Sequence, residues 1–233
     1  MALPKISTPL FSATLPVSKI DITFRPFLVK EEKVLLIGKE SGPKQQMLAI
    51  KQLIESVVVE PTDFSPNNLS MVDIEWLFLQ LRSKSVQNIV SLSYRDKEDD
   101  QIYKFDIDLD DIQPVFNSEH KYDIYFEKHS VGVSLKDPSF DMISKLNLSE
   151  DNESESAFSM IASCIKSAYD ADQVYDEFTQ QEAIDFLKSM DIATFTEIQR
   201  FYETLPKLSY TLNYTNSLGT DRKIVLEGLN DFF

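Results

Sequence analysis

The pattern of apolar and polar positions predicts blocks of strands and helices in turn. Residues 1–18 carry Pro4, Pro9 and Pro16 with little periodicity and read as an extended arm. Ile20, Ile22 and Phe24 then alternate with Asp21, Thr23 and Arg25, the period of a half-buried strand, and Pro26 ends it. Phe27–Lys39 reads as a helix, with Glu31 and Glu32 near its start and Lys39 near its end, as the helix dipole favours. Met47, Ile50, Leu53, Ile54, Val57 and Val58 recur at helical spacing, so Lys44–Val58 is expected to turn one face to a core. After a loop over Glu60–Asn68, Ser70 caps another helix, with Asp73 at the third position behind it. Leu69 and Ile74 are placed as its hydrophobic staple. Met71, Ile74, Leu77, Phe78 and Leu81 form its stripe, and Trp76 lies on the flank as a core residue.

From Val90 the period changes to two. Val90, Leu92 and Tyr94 alternate with polar residues, and so do Tyr103, Phe105, Ile107 and Leu109, with Asp96–Asp100 as the polar turn between them. This predicts a hairpin with one wet, acidic face. A second pair follows, Tyr122–Ile124–Phe126 against Val131–Val133–Leu135. Helical spacing returns after Asp137, with a stripe through Phe158, Ile161, Ala162, Ile165, Ala168 and Tyr169. Thr179 with Glu182, and Thr194 with Glu197, read as two capping boxes. The helices that they open carry the stripes Ala183–Ile184–Leu187–Met190 and Phe195–Ile198–Tyr202–Leu205. Pro206 stops the second, and a hairpin through Gly219 closes the chain.

Strands joined by short turns, without regular crossovers, predict an α+β fold of antiparallel β-hairpins packed with amphipathic helices. The acidic, serine-rich stretch Asp151–Ser156 is the best boundary. The expected division is an extended arm at 1–18, an α+β lobe with two hairpins at 19–150, and a helical lobe at 151–233 closed by the C-terminal hairpin.

Composition narrows the function. With 233 residues, 42% of them hydrophobic, the chain can bury a core without staples. No apolar run approaches the ~18 residues of a membrane span. The first ten residues carry no apolar stretch of the signal-peptide kind. One cysteine excludes an internal disulfide and a cysteine-rich zinc site, and fits a reducing cytoplasm. A net charge of −15 disfavours nucleic acid. The charge is uneven: residues 1–58 hold 8 basic and 5 acidic side chains, net +3, so the remainder carries −18. The acid concentrates at Asp96–Asp111, Glu150–Glu155 and Asp170–Asp185, as solvated faces or as a docking surface for a basic partner.

Chemistry is sparse. None of the five glycines is spaced as a phosphate loop. His120 and His129 flank the Tyr122–Phe126 strand in polar contexts and read as exposed turn residues. Cys164, between Ile161 and Ile165, reads as a small buried hydrophobe. Asp106, Asp108 and Asp110 open like a calcium loop, but Asp111 and Asn117 stand where glycine and glutamate are required. No enzyme, cofactor or metal site is expected. Leu229, Phe232 and Phe233 at the C-terminus are the candidate partner-binding residues. Two aromatics there need docking, either internally, under the strand that carries Leu226, or on a partner.

Five stretches carry a resemblance: Arg25–Lys33 (RPFLVKEEK), Leu81–Val86 (LRSKSV), Ile107–Ile112 (IDLDDI), Leu205–Leu208 (LPKL) and Leu226–Phe233 (LEGLNDFF). Together they resemble the baseplate hub family of T4-like contractile-tailed bacteriophages, which includes a hub subunit and a hub assembly factor. The resemblance runs from about Ile20 to the end and is weakest across Gln113–Ser156. It implies a non-enzymatic role in forming the central hub of the baseplate or in promoting its assembly. The partners that it implies are other hub or tail proteins, met in the host cytoplasm or retained in the virion tail, and homo-oligomerisation stays open. The opening strand, Arg-Pro and helix pattern over Ile20–Lys33 is also similar to tail assembly chaperones, so a transient chaperone for another tail protein, such as the tape measure, is the alternative.

Overall fold

The computed structural model describes residues 6–145, 153–228 and 231. The chain folds as two units, Met1–Val115 with Lys207–Phe233, and Phe116–Pro206. Short antiparallel sheets and amphipathic helices build both, an α+β architecture.

In the first unit, β1 (Phe11–Thr14) pairs antiparallel with β2 (Asp21–Phe24). The expected arm is therefore partly a strand. Leu15, just beyond it, is fully buried. α1 (Val29–Glu40) and α2 (Pro43–Val57) form a helical hairpin. They approach closely at Gly38, where a Cβ would stand 2.7 Å from that of Ala49. α2 buries Ile50, Leu53, Ile54 and Val57, the expected stripe, and β3 (Val58–Glu60) joins β2.

α3 (Met71–Ser85) starts as expected, with the Ser70 hydroxyl accepting the Asp73 N–H (3.1 Å). The Asp73 carboxylate does not turn back to the cap. It is fully buried and accepts the N–H groups of Val17 (2.8 Å) and Ser18 (2.9 Å), pinning the N-terminal segment to the helix.

β4 (Ile89–Arg95) and β5 (Ile102–Asp108) form the expected hairpin, with Leu92 opposite Phe105 and Tyr94 opposite Tyr103. The alternation ends at Asp108, whose carboxylate accepts the Asp110 N–H and tightens Leu109–Asp111 into a 3₁₀ turn. β6 (Pro114–Val115) follows.

The second unit is a four-stranded antiparallel sheet with helices. It contains β7 (Asp123–Phe126), β8 (Val131–Leu135), α4 (Phe140–Lys145), α5 (Glu153–Cys164), β9 (Ile165–Tyr169), β10 (Val174–Tyr175), α6 (Gln180–Lys188) and α7 (Ile192–Glu203). The strand order is β10-β9-β8-β7.

The helix expected through Tyr169 stops at Cys164, and Ile165–Tyr169 becomes β9 along the edge of β8. Tyr169 lies over Gly132, where a Cβ would meet the ring at 2.1 Å. Thr179 and Glu182 form the expected capping box on α6. α7 begins three residues before its expected box. Asp191 is the cap and accepts both the N–H (2.9 Å) and the hydroxyl (2.8 Å) of Thr194. Phe126, Val133, Leu135, Ile161, Ile198 and Phe201 anchor the core of this unit.

The chain returns to the first unit through β11 (Lys207–Thr215) and β12 (Asp221–Glu227), with β11 also pairing β6. Leu208 and Leu226 complete a cluster with Leu79, Ile107, Leu109 and Ile112. The division therefore falls elsewhere than the boundaries expected at 18/19 and 150/151. The closing hairpin joins the N-terminal elements because its inward leucines fill their core. Of the acidic stretch, residues 153–156 begin α5, and residues 151 and 152 lie outside the described residues.

Candidate functional site

The side chains expected to be inert have definite environments. His129 is exposed as expected, but His120 is not: its side chain is only 8% exposed. Its Nδ1 lies 2.9 Å from the Thr204 hydroxyl, and its ring packs between Tyr122 and Phe201. Burial holds the imidazole pKa below its ordinary value, against the pull of Asp137, whose Oδ1 is 4.0 Å from Nε2. Sequence spacing missed this because Thr204 and Asp137 are distant in the chain. Cys164 is fully buried, and burial pushes its thiol pKa up, the reverse of an activated nucleophile.

The three aspartates of the calcium-like run are spent on separate donors. Asp106 accepts from the Ser91 hydroxyl (2.6 Å), and Asp108 accepts from the Asn88 amide (3.1 Å). Asp110 accepts from Lys84 (2.8 Å) and the Ser83 hydroxyl (2.7 Å), and the Lys84 contact holds its pKa below the usual range. No group of His, Cys, Asp and Glu suited to a metal occurs among the described residues.

Residues from all five stretches that carry the resemblance meet in the first unit. Arg25 donates to Glu31 (3.1 Å) and to the Ser56 carbonyl (2.9 Å), which ties the entry of α1 to the end of α2. Burial works to raise the Glu31 pKa, but Arg25 and the Leu28 N–H outweigh it and hold it low. The Phe27 N–H donates to the Ser85 hydroxyl (2.9 Å). Lys84 and Ser83 then bridge from α3 to Asp110. Leu208 and Leu226 pack on Ile107, Leu109 and Ile112, and the Gly228 N–H donates to the Leu208 carbonyl (3.3 Å). These stretches act as clamps of the fold. Of the candidate partner-binding residues, Leu229, Phe232 and Phe233 lie outside the described residues. Between them, Asp231 accepts the Glu227 N–H (2.8 Å).

The turn at Asp96–Asp100 does more than a polar loop requires. Asp96 is buried and accepts from the Tyr214 hydroxyl (2.5 Å) and from Arg222 (3.1 and 3.2 Å), and Asn216 donates to Glu98 (2.6 Å). Asp99 accepts from the Tyr103 hydroxyl and from both the N–H and the hydroxyl of Ser217. The Tyr214 and Glu98 hydrogen bonds hold the Asp96 pKa low, while burial and Asp96 push Tyr214 up to about 12. The tips of the two hairpins are thus clasped. The only sequence signals were Arg222 and the polar Asn216 and Ser217 in the distant turn.

In the second unit a cavity of about 330 Å³ opens beside β9, β10 and α6. Ile165, Ala168 and Tyr169 form one wall, Phe178, Ala183 and Phe186 the other, and Asp170 and Glu182 stand among them. Asp170 accepts the N–H groups of Asp172 and Gln173 (both 2.9 Å) and the Tyr175 hydroxyl (2.9 Å). This is the acidic run Asp170–Asp185 seen in the sequence, now beside an apolar hollow that the sequence did not reveal.

The arrangement brings together clamps, a clasp and an apolar hollow. No helix among the described residues is long and apolar enough to cross a membrane. No curated protein and no solved structure matches the chain significantly. One family model does, that of the T4 bacteriophage base plate protein, over residues 8–233, which takes in both units and every stretch that carried the resemblance. By that match, the chain belongs to the T4 bacteriophage base plate protein family, whose place is the virion tail baseplate among other phage baseplate proteins.

Proposed function

We propose that this baseplate protein forms the central hub of the baseplate or promotes its assembly, as a structural and non-enzymatic component built in the host cytoplasm. The observation that carries the reading is the convergence of the hub-like stretches. Arg25–Lys33, Leu81–Val86 and Ile107–Ile112 are joined through the Phe27 N–H on Ser85 and Lys84 on Asp110, and Leu109, Leu208 and Leu226 share one core. Residues used in that way set a shape for other proteins to meet. The Cys164 thiol, buried with its pKa raised, supports the non-enzymatic part. Leu229, Phe232 and Phe233 remain the candidate contacts to a hub neighbour in this reading.

The alternative is a transient chaperone that holds another tail protein and leaves before the virion is complete. The similarity of the Arg-Pro opening to tail assembly chaperones favours it, although here Arg25 ties α1 to α2 within the chain. Quantitative mass spectrometry of purified virions separates the two. A constant ratio to other baseplate proteins is expected for a hub component, and absence from virions selects the chaperone.

A further inference from the structure

We infer that the cavity beside β9, β10 and α6 is a docking site for a segment of a different, basic protein. That segment inserts one large apolar side chain and carries lysine or arginine beside it. The inference goes beyond the hub reading and holds for either baseplate role.

The size of the cavity limits the occupant. At about 330 Å³ it lies at the floor of the ~300–1,000 Å³ range of ligand pockets, room for one bulky side chain rather than a large cofactor. Its chemistry limits the occupant further. The walls are aromatic and aliphatic, and the two carboxylates among them are already engaged. Glu182 closes the capping box with Thr179, and Asp170 holds the turn into β10. Few groups are left to orient a polar metabolite, whereas an apolar anchor enclosed by a polar rim is the usual centre of a protein–protein contact.

Charge selects the flanks of the segment. Residues 170–185 hold six carboxylates and no lysine or arginine. Asp172, Asp176, Glu177 and Asp185, in the same segment that lines the hollow through Asp170, Tyr175, Phe178, Glu182 and Phe186, are exposed. Such a rim draws in cationic segments and repels acidic ones. A second copy of this chain would bring a net charge of −15 to that rim, so the occupant is another, basic protein. The fold also leaves an edge for it. β10 is the outermost strand of its sheet, and Val174 and Tyr175 on it are 64% and 43% exposed. An outer strand with apolar side chains invites an extended segment alongside.

The test uses the full chain with the photo-cross-linker p-benzoylphenylalanine in place of Val174, co-expressed with the other baseplate proteins of its phage. The cross-linked peptide is then sequenced by mass spectrometry. The expected adduct is a segment with a large apolar residue close to lysines or arginines. The charge-reversed variant D176K/E177K should lower its yield about tenfold or more while melting stays unchanged. Ala168→Phe, which fills the cavity from β9, should lower it as well. If D176K/E177K disturbs folding, Asp172→Lys on the same rim gives the second reading. An adduct of this chemistry on a host protein would keep the site and remove the baseplate partner. No adduct, an adduct on an acidic segment or on another copy of the chain, or a yield that ignores charge reversal would overturn the inference.

Discussion

Asp73→Ala tests the logic of the first unit in one substitution. The carboxylate is fully buried at the start of α3 and holds two backbone N–H groups, those of Val17 and Ser18. Hydrogen bonds to a charged group contribute about 1.5–3 kcal/mol each. Val17 is half-buried, so its orphaned N–H bears most of that cost. Ser18 is exposed and regains water, which reduces its share to about 0.5–1.5 kcal/mol. Loss of a negative charge at the helix N-terminus adds about 0.3–1 kcal/mol. Relief of the buried charge's own desolvation offsets part of the sum, leaving a destabilisation of about 2–4 kcal/mol.

That is a large fraction of a typical ~5–15 kcal/mol stability, yet it leaves the protein folded. Trp76, the only tryptophan, sits on α3 and reports the first unit in a urea titration. Hydrogen exchange at Val17 and Ser18 should accelerate in the same variant. Asp73→Asn, which keeps one acceptor oxygen, should cost roughly half as much. A loss under about 1 kcal/mol, or unchanged exchange at both amides, would refute the claim that this carboxylate anchors the N-terminal segment.

Three further outcomes follow from other parts of the fold. Ile50→Asp places an unpaired charge in the buried face of α2 and should cost upwards of about 4 kcal/mol, read as loss of the cooperative tryptophan transition; a folded variant would make that face a partner surface. Burial lowers the His120 pKa in the folded state, so as pH falls below about 6.5 the unfolded chain takes up the proton first and stability declines until the folded pKa is reached. Comparing urea midpoints at pH 7.5 and 5.5 should show a smaller difference in His120→Gln, and an equal difference would remove His120 as the cause. Deleting residues 230–233 removes the Asp231 carboxylate from the Glu227 N–H and should lower the melting temperature of the isolated protein. Unchanged melting together with failed co-purification would place Phe232 and Phe233 on a partner instead.

What was legible in the sequence was local. Leu92, Tyr94, Tyr103 and Phe105 announced their hairpin because alternation and a polar turn are both written in adjacent residues. Thr179 and Glu182 announced α6 in the same way. Ile165, Ala168 and Tyr169 misled because their spacing fits a helix, and only the open edge of β8, thirty residues upstream, makes them a strand. Thr194 looked like a cap because its hydroxyl and Glu197 fit the box, but Asp191 captured both Thr194 donors first.

The functional features were the least legible. Asp96 meets Arg222 and Tyr214 across more than a hundred residues, and the cavity exists only once β9 and α6 face each other. The acid run at Asp170–Asp185 was visible, and its apolar neighbour was not.

In the hub reading, this protein is needed to build the baseplate centre. Disrupting its gene and imaging the particles made in infected cells by electron microscopy tests it most directly. Baseplates with a filled centre should then disappear, and supplying the protein in trans should restore them. Baseplates with normal, occupied centres in its absence would contradict it.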